Sequence, residues 1–470
     1  MNALAAPPHP LHRTLSRPHG YEPLVIEGAL PEALSGTLFR AGPGMFERFG
    51  KPYAHPFEAD GAVTAVRFGR GVAHGASRLV QSAAYREEEE AGKPLYGSPA
   101  SWFRRVGNAW KGRIKTSGNT SVLHWQGRLF ALMEAGLPQE MELSGLGTLD
   151  ATDLDGVLNT SFSAHPHRIA KRRTTINFGL RYDKKMHVDL FELPDAGPAK
   201  KLGSFEAPWM AMLHDFVVTE NHAVFVIGPA RLVLWRALLG SNDFGKLFEW
   251  NPEMGVQVVV VPLADPGAHK RFDLDPFWVW HFGNAYENGS GKIVLDMCRY
   301  DDFGSLGAIA APEKELAPPL LHRMVIDPPS GDVRIEQLWD QFCEFPTIHP
   351  DLAGRAHSRL WMLSERPEGQ GITRFSLDTL RARTWEAPPG HLVSEPIPVP
   401  KTAGTDSAAF HLENAVWVLT LVFDPDRDQS YIAVLDGERP TSGPVAKVWF
   451  DQPLPQTFHG AWVRGGATVS

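Results

Sequence analysis

Short runs of apolar residues, broken by polar or turn-forming residues, recur along almost the whole chain. They cover 62–68, 121–125, 128–133, 223–227, 256–261, 293–297, 359–363, 416–423 and 431–435. Each has the length of a strand rather than of a helix. Two of the breaks are turns by composition: Gln126-Gly127 separates 121–125 from 128–133, and Asn288-Gly289-Ser290-Gly291 precedes 293–297. Long helical patterns do not alternate with the strands, so the chain is expected to be all-β, a closed barrel or propeller. No fixed-period motif marks repeats, and spacing alone leaves the number of blades open.

One segment breaks this texture. Residues 231–239 are dense in large apolar side chains, and Phe244, Leu247, Phe248 and Trp250 follow closely. Read as a helix, Leu232, Trp235, Leu238 and Leu239 share one face. The expectation is a cap helix packed on the β array. The sharper alternative is an apolar patch over 231–250 that makes peripheral contact with a membrane. Residues 1–21 carry Pro7, Pro8, Pro10 and Pro18 and no apolar core of a signal peptide, so they read as a flexible arm. Residues 22–470 read as one domain with cap insertions. No run of 18 or more apolar residues predicts a spanning helix.

Composition narrows the picture further. A hydrophobic content of 43%, with 14 Trp and 26 Phe, can fill a large core, while 44 Gly and 39 Pro suit many turns. A net charge of −8 gives no footprint for nucleic acid. The short basic run Lys171-Arg172-Arg173 reads as a solvated loop. Cys298 and Cys343 are too few for a disulfide framework, and a cytoplasmic setting is the simpler expectation.

The candidate chemistry lies in four histidines. They are His165 in Ser163-Ala164-His165-Pro166, His214 in Leu213-His214-Asp215-Phe216, His281 in Trp280-His281-Phe282-Gly283, and His459 in Phe458-His459-Gly460-Ala461. Neutral imidazole binds iron, copper, zinc and nickel. Ligands spread from 165 to 459 cannot form a local zinc finger. They can meet only in a fold that brings distant segments to one axis. The chain holds 19 histidines, so a propeller serving as an interaction scaffold, without a metal, stands as the non-enzymatic alternative.

Three further segments accompany the histidines: Gly36-Thr37-Leu38-Phe39-Arg40-Ala41-Gly42-Pro43-Gly44, Phe57-Glu58-Ala59-Asp60-Gly61 and Gly118-Asn119-Thr120-Ser121. Together these motifs resemble the carotenoid cleavage oxygenase family of non-haem iron dioxygenases, over roughly 36–462. The resemblance implies a seven-bladed β-propeller with a loop and helix cap over an Fe²⁺ site, with O₂ as co-substrate. It implies His165, His214, His281 and His459 as metal ligands and Thr120 near an open coordination position. The glycines would serve turns. His167, two residues past a ligand, reads as exposed. Four imidazoles bring no negative charge, so carboxylates are expected to accept their outward N–H groups. Glu134, Glu344 and Glu395 stand in family-like contexts for that role.

Two enzyme branches fit such a site: cleavage of a carotenoid or apocarotenoid, and cleavage of the central bond of a phenolic stilbene. Stilbene cleavers carry a lysine just before the first of these glutamates, where this chain has Met133. With Phe57, Met212 and Trp280 nearby, an apolar cavity for a lipophilic polyene is expected. The reading favoured is oxidative cleavage of a conjugated C=C bond, the central 15,15′ bond, into two aldehydes such as retinal. Stilbenoid dioxygenase is the alternative. A retinoid isomerohydrolase on a related scaffold is disfavoured, since the chain lacks that branch's inserts.

Overall fold

A computed structural model describes residues 9–159, 161–310, 316–401 and 409–465. The apolar runs form strands, and these pair antiparallel into seven sheets of four or more strands, the blades of a β-propeller. Hairpins build each blade. Thr174–Tyr182 pairs with Met186–Pro194 along its full length, from Thr174↔Pro194 to Tyr182↔Met186. A blade is covered on both faces by its neighbours, so its middle strands read as continuous apolar runs rather than as alternation. Val256–Pro262, Ile293–Tyr300 and Val416–Asp424 are of this kind. Outer strands such as Asp332–Gln337 and Arg381–Glu386 are exposed and charged, which protects a sheet edge from pairing with other chains.

Apolar side chains from facing sheets fill the wedges between blades. Phe178, Phe216, Phe225 and Val259 belong to one such wedge, with Phe216 stacked on Phe225 at 5.1 Å. The strands nearest the axis touch one another around it. His167–Ile169 touches Val217–Val218, which touches Trp278–Glu287, which touches Cys343–Thr347. His459–Arg464 touches Ile397–Pro400 on one side and Ser121–Trp125 on the other.

Two sheets take strands from both parts of the chain and so close the ring. In one, Val25–Gly28 pairs with Pro444–Trp449. In the other, Gly36–Met45 pairs with His459–Arg464, from Gly36↔Arg464 to Ala41↔His459. The glycines of the 36–44 motif therefore lie within a strand, not at turns. Gly42 is there because a Cβ would stand 2.1 Å from the Gln456 carbonyl oxygen.

Two expectations need correction. Residues 1–21 are not a free arm from residue 9 onward: Leu11 and Leu15 are buried, and His19–Pro23 is a strand. Gln456 N–H donates to the Leu11 carbonyl at 3.1 Å, and Arg13 pairs with Asp428 at 2.8 Å. Two apolar anchors among prolines are enough to dock the segment. Residues 1–8 lie outside the described residues. Nor is 231–239 one helix. Ala230–Leu232 is a strand paired with Phe248–Trp250, and only Leu234–Leu238 is helical. Val233 between them is non-helical, and its N–H donates to Leu247 O at 2.7 Å. A helix that patterning did not predict, Trp102–Trp110, packs against Leu234–Leu238. Among the described residues no helix is long and apolar enough to cross a membrane.

The close approach at Gly42 is backbone against backbone and cannot be relieved by a side-chain rotation. Gly42→Ala is expected to destabilise the propeller by about 1–3 kcal/mol, read as a lowered midpoint in urea or thermal unfolding. An unchanged midpoint would show that the two strands can part there without cost.

Candidate metal centre

His165, His214, His281 and His459 meet at the propeller axis, each offering a ring nitrogen within 4.8 Å of the others. Each comes from an axial strand or the turn that leads into one. His165 precedes His167–Ile169, His214 precedes Val217–Val218, His281 lies in Trp278–Glu287, and His459 opens His459–Arg464. Their ring centroids are 4.3 Å (His165–His214), 4.6 Å (His165–His459) and 4.8 Å (His281–His459) apart.

Three of the rings turn Nδ1 outward to a carboxylate. His281 Nδ1 donates to Glu344 Oε2 at 2.5 Å and His459 Nδ1 to Glu395 Oε1 at 3.0 Å. His214 Nδ1 contacts Glu134 Oε1. With Nδ1 protonated, each Nε2 presents a lone pair inward. His214 Nε2 and His281 Nε2 face each other across 3.3 Å, and His165 Nε2 is buried with no hydrogen-bond partner. Lone pairs aimed at one another in a dry interior are costly unless a cation lies between them. The donor set is all nitrogen, which suits a transition metal and not magnesium or calcium. The residues present therefore fit a metal.

His165 is the ring without a carboxylate hydrogen bond. Asp215 Oδ1 lies 3.8 Å from its Nδ1, beyond hydrogen-bond reach. Asp215 is committed elsewhere: it accepts from His167 Nε2 at 2.7 Å and from the N–H groups of Phe216 at 2.8 Å and Phe282 at 3.2 Å. His167 is thus a half-buried partner of Asp215, not an exposed residue. Burial and mutual repulsion hold the pKa values of His165 and His459 well below the ordinary histidine range. At His281 burial acts in the same direction and is the largest single effect, but the charge and hydrogen bond of Glu344, with the charges of Asp215 and Glu395, together outweigh it and the pKa rises. Burial pushes the Glu395 carboxyl up to about 7 despite the neighbouring Arg40 guanidinium. Arg40, fully buried, lies 3.3 Å from Glu395 Oε2, and the Gly460 N–H donates to the same oxygen at 2.8 Å.

One side of the cluster is an aromatic wall. Met212, Trp278, Trp280 and Phe303 form a buried group, with Phe57, Phe244 and Phe248 packed on it. Trp280 stands edge-on to His214 at 4.8 Å and near Phe57 at 6.5 Å, and its Nε1 donates to Ser305 Oγ at 2.7 Å. None of these side chains is charged. Phe57 is fixed by its motif: Asn119 Nδ2 donates to the carbonyls of Phe57 at 3.0 Å and Ala59 at 2.8 Å. Asn119 Oδ1 in turn accepts from the Thr120 hydroxyl at 3.2 Å, and Thr120 O accepts from His459 N–H at 3.2 Å. Thr120 is thereby tied to the histidine cluster. Met133 is not part of the aromatic group; its Sδ accepts from Ser117 N–H at 3.0 Å.

Several residues at the site escaped sequence reasoning. Tyr300 donates to Glu344 Oε1 at 2.7 Å. Phe345, next to Glu344, stacks on His281 at 4.7 Å and meets His459 edge-on at 5.3 Å. Its φ of +50° is left-handed, a conformation that costs a residue with a Cβ about 1–2 kcal/mol. The Glu344-Phe345-Pro346 run was visible, but the strain was not, because no glycine or asparagine announces it.

Known proteins resemble this chain over nearly its whole length. The apocarotenoid-15,15′-oxygenase of a Synechocystis species is 31% identical, with 93% of this chain and 92% of that protein covered. The isoeugenol monooxygenase of Pseudomonas nitroreducens is 28% identical, with 94% of each chain covered. The crystal structure of the cobalt-substituted Synechocystis apocarotenoid oxygenase superposes with a TM-score of 0.86 at 29% identity, covering 96% of this chain and 98% of that one. The model of the retinal pigment epithelial membrane protein family, RPE65, matches residues 11–464. The chain belongs to that family, the carotenoid oxygenases.

Proposed function

We propose that the protein is an Fe²⁺-dependent dioxygenase that cleaves one conjugated double bond of an apocarotenoid or carotenoid, at the central 15,15′ position, into two aldehydes. The reaction balances as R–CH=CH–R′ + O₂ → R–CHO + R′–CHO. The observation that carries the reading is the juxtaposition of four inward-facing imidazoles with an uncharged aromatic wall. Zinc would suit the imidazoles but has no redox chemistry, whereas bound Fe²⁺ supplies the means to activate O₂. His165, His214, His281 and His459 would hold the metal. Glu134, Glu344 and Glu395 would fix the tautomers of three of them and make those rings better donors.

Phe57, Met212 and Trp280 would hold a polyene against the cluster and keep water from it. Thr120 would restrict the space on the side where substrate and O₂ approach. Met133 offers no charge to anchor a phenol. The competing reading, a phenolic stilbene or phenylpropanoid as substrate, draws support from the likeness to isoeugenol monooxygenase. Iron-loaded protein should consume one O₂ per cleavage with apocarotenals and release aldehydes identified by mass. If it ignores every polyene yet cleaves a hydroxystilbene or isoeugenol, the substrate assignment falls and the metal assignment remains.

The orienting role of the glutamates has its own test. Glu344→Gln should lower iron affinity by roughly 10- to 100-fold, measured by titration against a competing chelator. Wild-type affinity in that variant would remove Glu344 from the machinery.

A lipophilic substrate also accounts for an exposed apolar patch. Trp102, Phe103, Trp110, Trp235 and Leu239 are 51%, 80%, 72%, 58% and 59% exposed. Trp102 Nε1 donates at 2.9 Å to the carbonyl of Leu239, which caps the helix Leu234–Leu238, and so joins the two helices. This patch would rest on a membrane surface and receive substrate from it. Co-sedimentation with phosphatidylcholine vesicles should fall severalfold in a Phe103→Ser/Trp235→Ser double variant, and undiminished binding would exclude the patch.

A further inference from the structure

The aromatic wall occupies only one side of the histidine cluster. On the other, along the propeller axis, lies a cavity of about 1430 Å³ whose lining includes His165, His459 and Glu395. Arg168, Lys171 and Arg464, all exposed, also line it. A second cavity of about 220 Å³ touches His165, His281, His459, Asp215 and Glu395. Phe57, Met212 and Trp280 line neither. Both spaces are bordered by charged and polar groups as well as apolar ones and are large enough for water. Three of the four histidines thus have water-accessible space behind them.

Beside the rings of His281 and His459, Phe345 borders the smaller cavity. It stacks on His281 with an interplanar angle of 28° and turns its edge to His459 at 67°. The strand Cys343–Thr347 is irregular between Glu344 and Thr347, and Phe345 there takes φ +50°. The left-handed turn has two consequences at once. Glu344 Oε2 reaches His281 Nδ1 while accepting the Phe345 N–H at 2.7 Å, and the next side chain returns to the same histidine's face. Large residues are rarely held in this conformation unless the surroundings over-determine it.

We infer that Phe345 is a positioning residue, a strained aromatic that holds the His281 and His459 rings in place at the edge of the axial cavity. This rests on the metal reading above. Without the ring the imidazoles of His281 and His459 lose the contact that fixes their planes and are freer to rotate, so bound metal escapes faster.

The experiment measures release of Fe²⁺ from the loaded full-length protein to an excess of a colour-forming ferrous chelator, followed by absorbance. Phe345→Gly relieves the backbone strain, so it offers a ringless variant that folds even if Phe345→Ala does not. Both are expected to release iron faster, on the order of tenfold, and to a similar extent. Phe345→Tyr keeps the ring and should stay close to wild type. Thermal unfolding should place Gly above Ala. Wild-type release from both ringless variants overturns the proposal. So does fast release from Gly alone, which would assign the effect to the backbone, or a release rate that follows stability instead of the ring. A wild-type protein that takes up no iron would remove the metal reading itself, an outcome distinct from these.

Discussion

Four imidazole lone pairs have to face one point inside a dry protein, and most of what surrounds the axis follows from that constraint. Two neutral rings whose Nε2 atoms are 3.3 Å apart repel unless a positive charge sits between them. The arrangement is kept by what grips the rings from outside: Glu134, Glu344 and Glu395 on three Nδ1 atoms, and packing on the fourth. Each buried carboxylate then needs partners of its own. Arg40 and the Gly460 N–H serve Glu395, while the Tyr300 hydroxyl and the Phe345 N–H serve Glu344. A histidine site without negative ligands is therefore a nested set of hydrogen bonds in which each outer layer orients the one inside it.

A propeller suits this constraint because its axial strands converge while its blades carry the stability. The wedge cores between blades are continuous apolar layers, so the axial ends need not contribute packing and can hold polar side chains. Closure matters as much. His459 stands at the start of the strand that pairs with Gly36–Met45, and the segment before it is held by Leu11 and by Ser16 and Arg17 through Gln452. Both parts of the chain that close the ring therefore also place one of the four histidines.

Much of this was legible in the residues. Strand-length apolar runs announce blade cores because a strand covered on both faces has no polar side to show. The histidine motifs and the glutamates were legible because each sits in a short distinctive context. What was hidden has physical causes. Charged outer strands such as Arg381–Glu386 carry no apolar pattern. The docking of residues 9–21 depends on tertiary partners: Leu15 joins a core drawn from both 34–73 and 397–454, and Leu11 and Ser16 meet Gln456 and Gln452 more than 400 positions away. In 231–239, a helical stripe gave way to strand pairing because Phe248–Trp250 offered Ala230–Leu232 a partner, a tertiary choice that local periodicity cannot register. His167 looked exposed by analogy, yet Asp215 beside His214 gave it a buried carboxylate.

The two sides of the cluster differ in kind, and that asymmetry constrains the chemistry more than the donor set does. Toward the cap, Trp280, Met212 and Phe57 present apolar surface with the indole N–H already satisfied by Ser305, so nothing there rewards a polar ligand. Toward the axis, Asp215, His167 and Glu395 border open space, and there a long hydrocarbon would displace water from charged groups at a cost. A polyene would thus lie toward the cap, with the rings of His281 and His459 between it and the axial space. Reactions in which water competes with an apolar substrate need such a boundary. The left-handed backbone at Phe345, unfavourable by itself, returns an aromatic ring to the face of His281 and so helps to fix that boundary.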